Sequence, residues 1–328
     1  MAQISTATTN FDRTVTALVI RTVLENLRDS LIWMSEGSYV KGSLIPGTNL
    51  LRHVAYGDLS VTDNTGTVTP GTVPWLNEGA APTAEALTIG YAEYSAYQAG
   101  RLIQISDIAL AESPNELFSI AAEKVARNAL ATIDLNVSRT ISATTSMRYA
   151  STASARNQIT NAMKLTGDEV RKHVAKMKTL NIPTFPDGTY RAIIHPNSVY
   201  DLQGDTATGG WLDAAKYAQP GALLNGEVGK YMGVRFIESN VMTYLGNLGA
   251  TSADVYNTVF FGPEFFAFGD LQSIQSYMVR PGGDHGDPLA QAGLVGWKAM
   301  FGSKVLGVTE AGGYKVLRLE HGGAIDIP

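Results

Sequence analysis

The chain has 328 residues, of which 45% are hydrophobic and 17% charged, and its net charge is −5. This length can bury one large or two medium hydrophobic cores. The acidic balance argues against a sequence-specific nucleic-acid reader, which usually carries a basic domain. Because the sequence contains no cysteine, disulfides, thiolate metal sites and cysteine nucleophiles are excluded.

The first residues lack the features of an export signal. Residues 1–6 have neither the charged start nor the apolar core of a signal peptide. No window of the sequence approaches eighteen uninterrupted apolar residues. We therefore expect a chain that is neither exported nor inserted in a membrane.

An amphipathic helix is predicted from Asp12 to about Met34. Apolar residues recur there at helical spacing, including Val15, Val19, Val23 and Leu27. A helix that precedes any core needs another surface on which to bury its apolar stripe. The pattern leaves two alternatives open, the chain's own core and a neighbouring subunit. We adopt the second as a hypothesis, with these four side chains as intersubunit contacts.

The segment from Gly42 to Glu123 contains no lysine, shows no helical periodicity, and is rich in glycine and proline in its first half. It resolves into a strand-like run from Leu87 to Ser106. A loop of this length inside a compact domain is uncommon and is usually functional or held by a partner. Trp75, between Pro74 and Leu76, is therefore interpreted as a second intersubunit contact.

A long helix is predicted to begin at Ser113. The sequence Ser113-Pro114-Asn115-Glu116 is a capping box with proline at the first helical position. Apolar and small residues then continue at helical spacing from Phe118 to Val137, so another element can approach this helix closely. The Ser/Thr/Ala-rich stretch from Ser138 to Ser154 is interpreted as a connector.

A compact α/β module follows, and the remainder of the chain is β-rich. Thr166 opens a second capping box, and Tyr190–Ile194 is a buried strand followed by a short helix that Asn197 or Ser198 can cap. Further strands are predicted over 233–237, 258–261, 273–280, 295–306 and 314–319.

Motifs of catalysis are missing from the sequence. It contains no G-x-S-x-G elbow, H-E-x-x-H motif or EF-hand loop. Gly226–Lys230 superficially resembles a phosphate loop but lacks its Ser/Thr, and is interpreted as a turn. Asp284–Asp287, with His285 as a general base, is the densest polar cluster, but its glycine-rich loop favours a simple turn. The other histidines are interpreted as structural; they are His53, His173, His195 and His321. Trp297 is interpreted as a core residue. No catalytic, cofactor-binding or metal-binding residue is therefore predicted.

Four phrases in order carry a family resemblance: YRAIIHPNSVYDL (190–202), NGEVGKYMGVRFIESN (225–240), VFFGPE (259–264) and GDPLAQAGLVGWKAMFG (286–302). With the preceding arm, loop and long helix, the chain resembles the tailed-bacteriophage major capsid proteins of the Hong Kong ninety-seven type, most closely the coat proteins of N-four-like phages. The resemblance implies an α+β fold in four parts: an N-terminal arm (1–41), an extended loop (42–106), a peripheral domain with a spine helix (107–165 and 270–328), and an axial domain (166–269).

The same resemblance implies a function and a set of partners. Copies of the chain would form the hexamers and pentamers of an icosahedral shell around double-stranded DNA, which is held without sequence-specific binding. The shell would assemble in the bacterial cytoplasm and become the virion capsid. A portal is an implied partner, a decoration protein is a further candidate, and a separate scaffold is implied because no charged scaffolding segment precedes the arm.

Two alternatives are kept beside this interpretation. An encapsulin-like shell of a cellular compartment resembles the same fold but encloses cargo enzymes. A hydrolase built on the α/β module over 166–240 belongs to a different functional class, and no motif in the sequence supports it.

Overall fold

A computed structural model describes residues 32–34, 37–56, 89–113, 117–205, 227–242, 244–279, 281, 289, 291–307 and 315–325. The predicted arm stripe (Val15, Val19, Val23 and Leu27), Trp75 and the Asp284–Asp287 turn lie outside these residues. Within them, residues 32–34 form a bend and turn, so the predicted arm helix does not extend to Met34.

The described residues form four α-helices and three β-sheets. The helices are α1 (Asp107–Glu112), α2 (Leu117–Ser142), α3 (Gly167–Thr179) and α4 (Pro196–Gln203). The strands are β1 (Tyr39–Lys41), β2 (Ser43–Leu44), β3 (Leu50–Tyr56), β4 (Ile89–Ser95), β5 (Tyr97–Ser106), β6 (Met147–Tyr149), β7 (Tyr190–Ile194), β8 (Glu227–Tyr231), β9 (Val234–Glu238), β10 (Tyr244–Leu245), β11 (Val255–Phe261), β12 (Phe266–Val279), β13 (Ala292–Val305) and β14 (Val316–His321).

Sheet one has the strand order β1-β12-β13-β5, with β1 parallel to β12 and the other pairs antiparallel. Sheet two has the order β6-β14-β11-β7-β9-β8, and β10 also pairs with β11. Sheet three is the antiparallel set β2-β3-β4. Several strands cross the parts expected from the sequence. Sheet one contains β1, from the arm range, and β5, from the extended loop. Sheet two contains β6 and β14, both from the peripheral ranges.

Helix α2 packs across one face of sheet one. Its buried side carries alanine, valine and isoleucine at helical spacing, and the alanines let the helix lie close to the strands. Phe118 lies over Gly293, where an added Cβ would stand 2.5 Å from the Phe118 ring. Trp297 is buried in the same cluster, and its Nε1 donates to Asn128 Oδ1 at 3.0 Å. The prediction of Trp297 as a core residue is confirmed.

Helices α3 and α4 form a second hydrophobic cluster with sheet two. The N-cap predicted at Thr166 is confirmed, since its hydroxyl oxygen accepts from the Glu169 backbone N–H at 3.4 Å. The Glu169 carboxylate accepts from Arg148 and Lys172. The predicted cap of α4 is wrong. His195 takes that place, and its Nδ1 accepts from the Asn197 backbone N–H at 3.2 Å. Pro196 occupies the first helical position and holds the preceding residue extended, so the residue before the proline becomes the cap.

Two further predictions differ from the structure, and one helix was not predicted. The stretch from Ser138 to Ser154, predicted as a connector, begins inside α2, which continues to Ser142. There Ser138 donates its hydroxyl to the Val241 carbonyl (3.2 Å) and Ile141 is buried. The predicted turn at Gly226–Lys230 is largely strand β8, with a register shift before Gly229. Helix α1 was not predicted, since six residues are too short to show periodicity. The prediction that Ser113 caps the long helix α2 is not tested, because residues 114–116 lie outside the described residues.

Candidate assembly surface

Strands β3 and β4 form a hairpin with an exposed apolar face. In their register, Val54 lies opposite Tyr91 and Tyr56 opposite Ile89. Alternate residues of a strand point to the same side, so these four side chains share one face. Each is between 40% and 65% exposed. A contiguous apolar face of this kind on a single chain is typical of a surface that another molecule covers.

An ion pair lies on the same face, nearer the body of the protein. Arg52 is opposite Glu93, and its Nε donates to Glu93 Oε1 at 2.8 Å. The Arg52 guanidinium also lies over the Tyr91 ring, 5.0 Å from its centroid. A partly exposed pair contributes little to stability by itself. Its effect here is to fix the orientation of Tyr91 and to mark the polar limit of the apolar face.

The opposite face of the hairpin anchors it to sheet one. Leu51 and Tyr94 are buried against strand β12 in a third hydrophobic cluster. Two glycines make this close approach possible. A Cβ on Gly269 would lie 2.9 Å from Leu51 Cδ1, and one on Gly302 would lie 2.5 Å from the Ser95 carbonyl oxygen. Burial raises the pKa of Tyr94 to about 12, so the phenol stays neutral where the hairpin packs against sheet one.

Sheet one also has an open face, on the side away from α2. Leu102, Gly296 and Tyr277 are paired in register across β5, β13 and β12. Leu102 and Tyr277 are exposed, and between them lies a shallow groove of about 360 Å³. Its floor is flat because glycine is required there: a Cβ on Gly100 or Gly296 would stand within 2.8 Å of a carbonyl oxygen on the paired strand.

Two histidines of sheet two and α3 are buried in structural positions. His173 Nε2 lies 3.2 Å from the Leu317 carbonyl oxygen, and His321 Nε2 lies 2.9 Å from Thr258 Oγ1. Burial lowers the pKa of His173 to about 3 and that of His321 to about 4. Both rings are therefore neutral at physiological pH and hold strands and helix together.

The described part of the chain contains no group of three histidine or acidic side chains that could hold a metal ion. None of the helices in the same residues is both long and apolar enough to cross a bilayer.

The chain is similar in structure to phage capsids. The capsid structure of cyanophage P-SCSP1u aligns at 17% identity with a TM-score of 0.63, over 92% of this chain and 90% of the other. The capsid of Ralstonia phage GP4 aligns at 12% identity with a TM-score of 0.65, over 89% and 87%. The capsid of cyanophage Pam1 aligns at 16% identity with a TM-score of 0.64, over 92% and 94%.

Compared by sequence, the chain matches no protein-family model and no curated protein. The structural similarity nevertheless extends over about nine tenths of both partners in each alignment. The chain therefore has the α+β fold of tailed-phage capsid proteins, the Hong Kong ninety-seven type, and the fold class expected from the sequence is confirmed. The more specific resemblance to N-four-like phages stays a prediction.

The exposed hairpin face was not identified from the sequence. A signal for it exists, because Val54 and Tyr56 alternate with smaller or polar residues, as do Ile89 and Tyr91. Alternation alone does not say which face is buried. This face points outward because the opposite face, with Leu51 and Tyr94, packs against sheet one.

Proposed function

We propose that this chain is the major capsid protein of a tailed bacteriophage, a structural subunit without catalytic residues. The observation that carries the proposal is the fold, which matches phage capsid structures over almost the whole length of both chains. The surfaces described above support the same role, because they are apolar, extended and suited to contact with further copies.

A shell needs two different surfaces on one chain. A contact between unlike surfaces repeats from copy to copy and closes into rings when the rotation between copies allows it. The hairpin face around Tyr56 and Tyr91 supplies one surface, and the open face of sheet one around Leu102 and Tyr277 supplies another. We infer that the hairpin of one subunit lies over the body of the next. Completing the burial of each half-exposed side chain contributes on the order of 1 kcal/mol.

The arm and Trp75 add contacts in this proposal. The stripe of Val15, Val19, Val23 and Leu27 would lie against a neighbouring subunit, and Trp75 would be a hydrophobic anchor beyond the hairpin. Tryptophan is enriched among residues that dominate interface energies. The support for both comes from the sequence, through helical periodicity and the flanking proline.

The parts of the subunit are assigned as the resemblance implies, with an arm (1–41), an extended loop (42–106), a peripheral domain (107–165 and 270–328) and an axial domain (166–269). Sheet pairing favours grouping β5 with the peripheral domain and β14 with the axial domain. The assembled shell would consist of hexamers and pentamers around double-stranded DNA. Its partners would be a portal and a separate scaffold, with a decoration protein as a further candidate, and it would assemble in the bacterial cytoplasm to form the virion.

Electron microscopy and sedimentation of the purified protein test the proposal. We expect rings or closed shells, formed by the chain alone or with its scaffold. A chain that stays monomeric under every condition, including after release from particles, would contradict a capsid role. Shells that contain a cargo enzyme and no DNA would instead identify a cellular compartment.

A further inference from the structure

The described chain begins with an anchor at Trp33. The Trp33 side chain is fully buried, and its ring centroid lies 6.3 Å from that of Phe261. Ile32 and Met34 pack against the same hydrophobic cluster. The Trp33 backbone N–H donates to the carboxyl group of Asp134, near the middle of α2. These contacts attach residues 32–34 to α2, the longest helix among the described residues.

Asp134 is an unusual residue for this position. It is only 4% exposed, and among the described residues its Oδ1 has no hydrogen-bond partner. Ser138, one helical turn later, directs its hydroxyl to the Val241 carbonyl instead. A buried carboxylate is costly unless it is paired or fully hydrogen-bonded. The Trp33 amide alone does not meet that requirement.

The charged groups on the surrounding elements are engaged elsewhere or face solvent. Residues 32–34 contain no ionisable side chain. The Arg191 guanidinium lies 4.1 Å over the Phe185 ring, and Glu264 pairs with Lys315 at 3.5 Å. On α2 itself the ionisable side chains other than Asp134 lie on the exposed face; they are Glu123, Lys124, Arg127 and Arg139. The protonation of Asp134 is therefore governed by two opposing effects. Burial, the larger effect, favours the neutral carboxyl and raises its pKa, whereas the Trp33 amide favours the ionised carboxylate and lowers the pKa.

We propose that Asp134 and Trp33 form an acid-tightened latch, which holds residues 32–34 firmly against α2 when the carboxyl is neutral and loosens when it ionises. A neutral carboxyl still accepts from the Trp33 amide and carries no charge that must be kept from water. An ionised carboxylate is better hydrated once Trp33 leaves its seat, so ionisation favours release. The latch does not rest on the proposed shell function, because both residues belong to one chain.

The direction of the pH dependence follows from the same contacts. Burial raises the pKa of Asp134 to about 6 from an ordinary value of 3.8. A group whose pKa is raised in the folded state contributes stability below its ordinary pKa, and this stability is lost as the pH rises through the raised value. The packing of Trp33 into the core is thus most favourable in acid and less favourable at neutral pH. A shift of about two units corresponds to a roughly hundredfold change in the seating equilibrium.

Hydrogen exchange of the Trp33 amide tests the latch in the purified full-length chain. Exchange is measured from about pH 4.5 to about pH 8 and corrected for the intrinsic pH dependence of the chemistry. We expect protection to fall by roughly thirtyfold between about pH 4.5 and about pH 6, and to level off at higher pH. Asp134→Asn keeps the size and an acceptor but cannot ionise, and it should remove this dependence. Asp270→Asn, at an exposed aspartate of β12, should leave it unchanged.

Each result decides the proposal. A wild-type profile that is flat with pH overturns it, and so does an Asp134→Asn profile equal to that of the wild type. If Asp134→Asn does not fold, the titration of isotope-labelled aspartate carboxyls in the wild-type chain replaces it. A buried carboxyl that titrates near 6, in step with Trp33 protection, supports the latch. Ordinary values for every aspartate overturn it.

Discussion

The Tyr94 phenol occupies the space that a side chain on Gly42 would need. Gly42 follows β1, whereas Tyr94 lies near the end of β4, where the hairpin returns to the body. Gly269 and Gly302 complete the slot around the same ring. A Cβ on Gly269 would stand 3.2 Å from the Tyr94 hydroxyl oxygen, and one on Gly302 would stand 3.1 Å from Tyr94 Cδ2. The hairpin is thus fixed by an aromatic side chain in a slot that only glycine can line.

The first prediction concerns the wall of this slot. In Gly302→Ala, the new methyl group would stand 2.5 Å from the Ser95 carbonyl oxygen, so the backbone of β4 must move. We expect a loss of about 1–3 kcal/mol in the free energy of unfolding, measured by urea denaturation. Gly246→Ala is the matched control, because its methyl group would make only ordinary contacts at 3.6 Å. Equal stability of the two variants would show that the slot is not tight.

The second prediction separates assembly from folding at the hairpin face. Ile89→Lys places a charge on a side chain that is exposed in the single chain, so thermal unfolding should change little. Assembly should be blocked, because the charge would be buried against a neighbouring subunit. Ile89→Val keeps the face apolar and should still assemble. Sedimentation measures assembly, and normal shells from Ile89→Lys would exclude this face from the contact.

Some contacts that define the fold could be predicted from the sequence, and others could not. The start of α3 was predictable because its N-cap hydrogen bond is local: the Glu169 backbone N–H donates to the Thr166 hydroxyl, three residues earlier. The pairing of Arg156 with Glu320 was not, although Arg156 Nε donates to a fully buried carboxylate at 2.8 Å. These two residues are 164 positions apart, and no local pattern relates them. The candidate surface was hidden in the same way, since its outward face depends on sheet pairing.

The third prediction concerns the buried histidines and acid. Burial lowers the pKa of His321 to about 4 and that of His173 to about 3. As the pH falls, both histidines are therefore protonated in the unfolded chain at a higher pH than in the folded chain. The stability that the neutral rings contribute is present above about pH 6.5 and is lost as the pH falls. His321→Gln should flatten the decline in unfolding free energy between about pH 6.5 and pH 4, by an amount on the order of 3 kcal/mol. His53→Gln, at a partly exposed histidine, should flatten it less, and equal effects would contradict the assignment.

The fourth prediction tests the arm. Changing both Val19 and Val23 to Asp should block assembly while the subunit unfolds at nearly the same temperature. Within the interface the cost would be on the order of several kcal/mol, from two aliphatic side chains lost and two charges buried. The control is Arg21→Asp, which should assemble, because Arg21 lies outside the apolar stripe when residues 12–34 are placed on a helix. A double variant that fails to fold would place the stripe in the subunit's own core.

The fifth prediction concerns how the shell is locked. Some relatives of this fold join neighbouring subunits by an isopeptide bond from a lysine of the extended loop. This chain has no lysine from Gly42 to Glu123, and the basic side chains of its loop are Arg52, His53 and Arg101. Arginine cannot replace lysine in that reaction, because its guanidinium stays protonated and offers no free amine. Without cysteine, disulfide locking is closed as well. We therefore expect the proposed shell to be held by non-covalent burial of the hairpin and the arm.

Denaturing electrophoresis of mature particles measures this directly. After boiling in denaturant, the chain should run as a single band near 35.0 kDa. The control is a sample treated with an amine-reactive cross-linker, which shows where dimers and higher multimers migrate. A ladder of multimers in untreated particles would contradict non-covalent locking. It would place the cross-linking chemistry on a lysine outside the loop. Lys41 and Lys124, which flank the lysine-free segment from Gly42 to Glu123, would be the first positions to substitute.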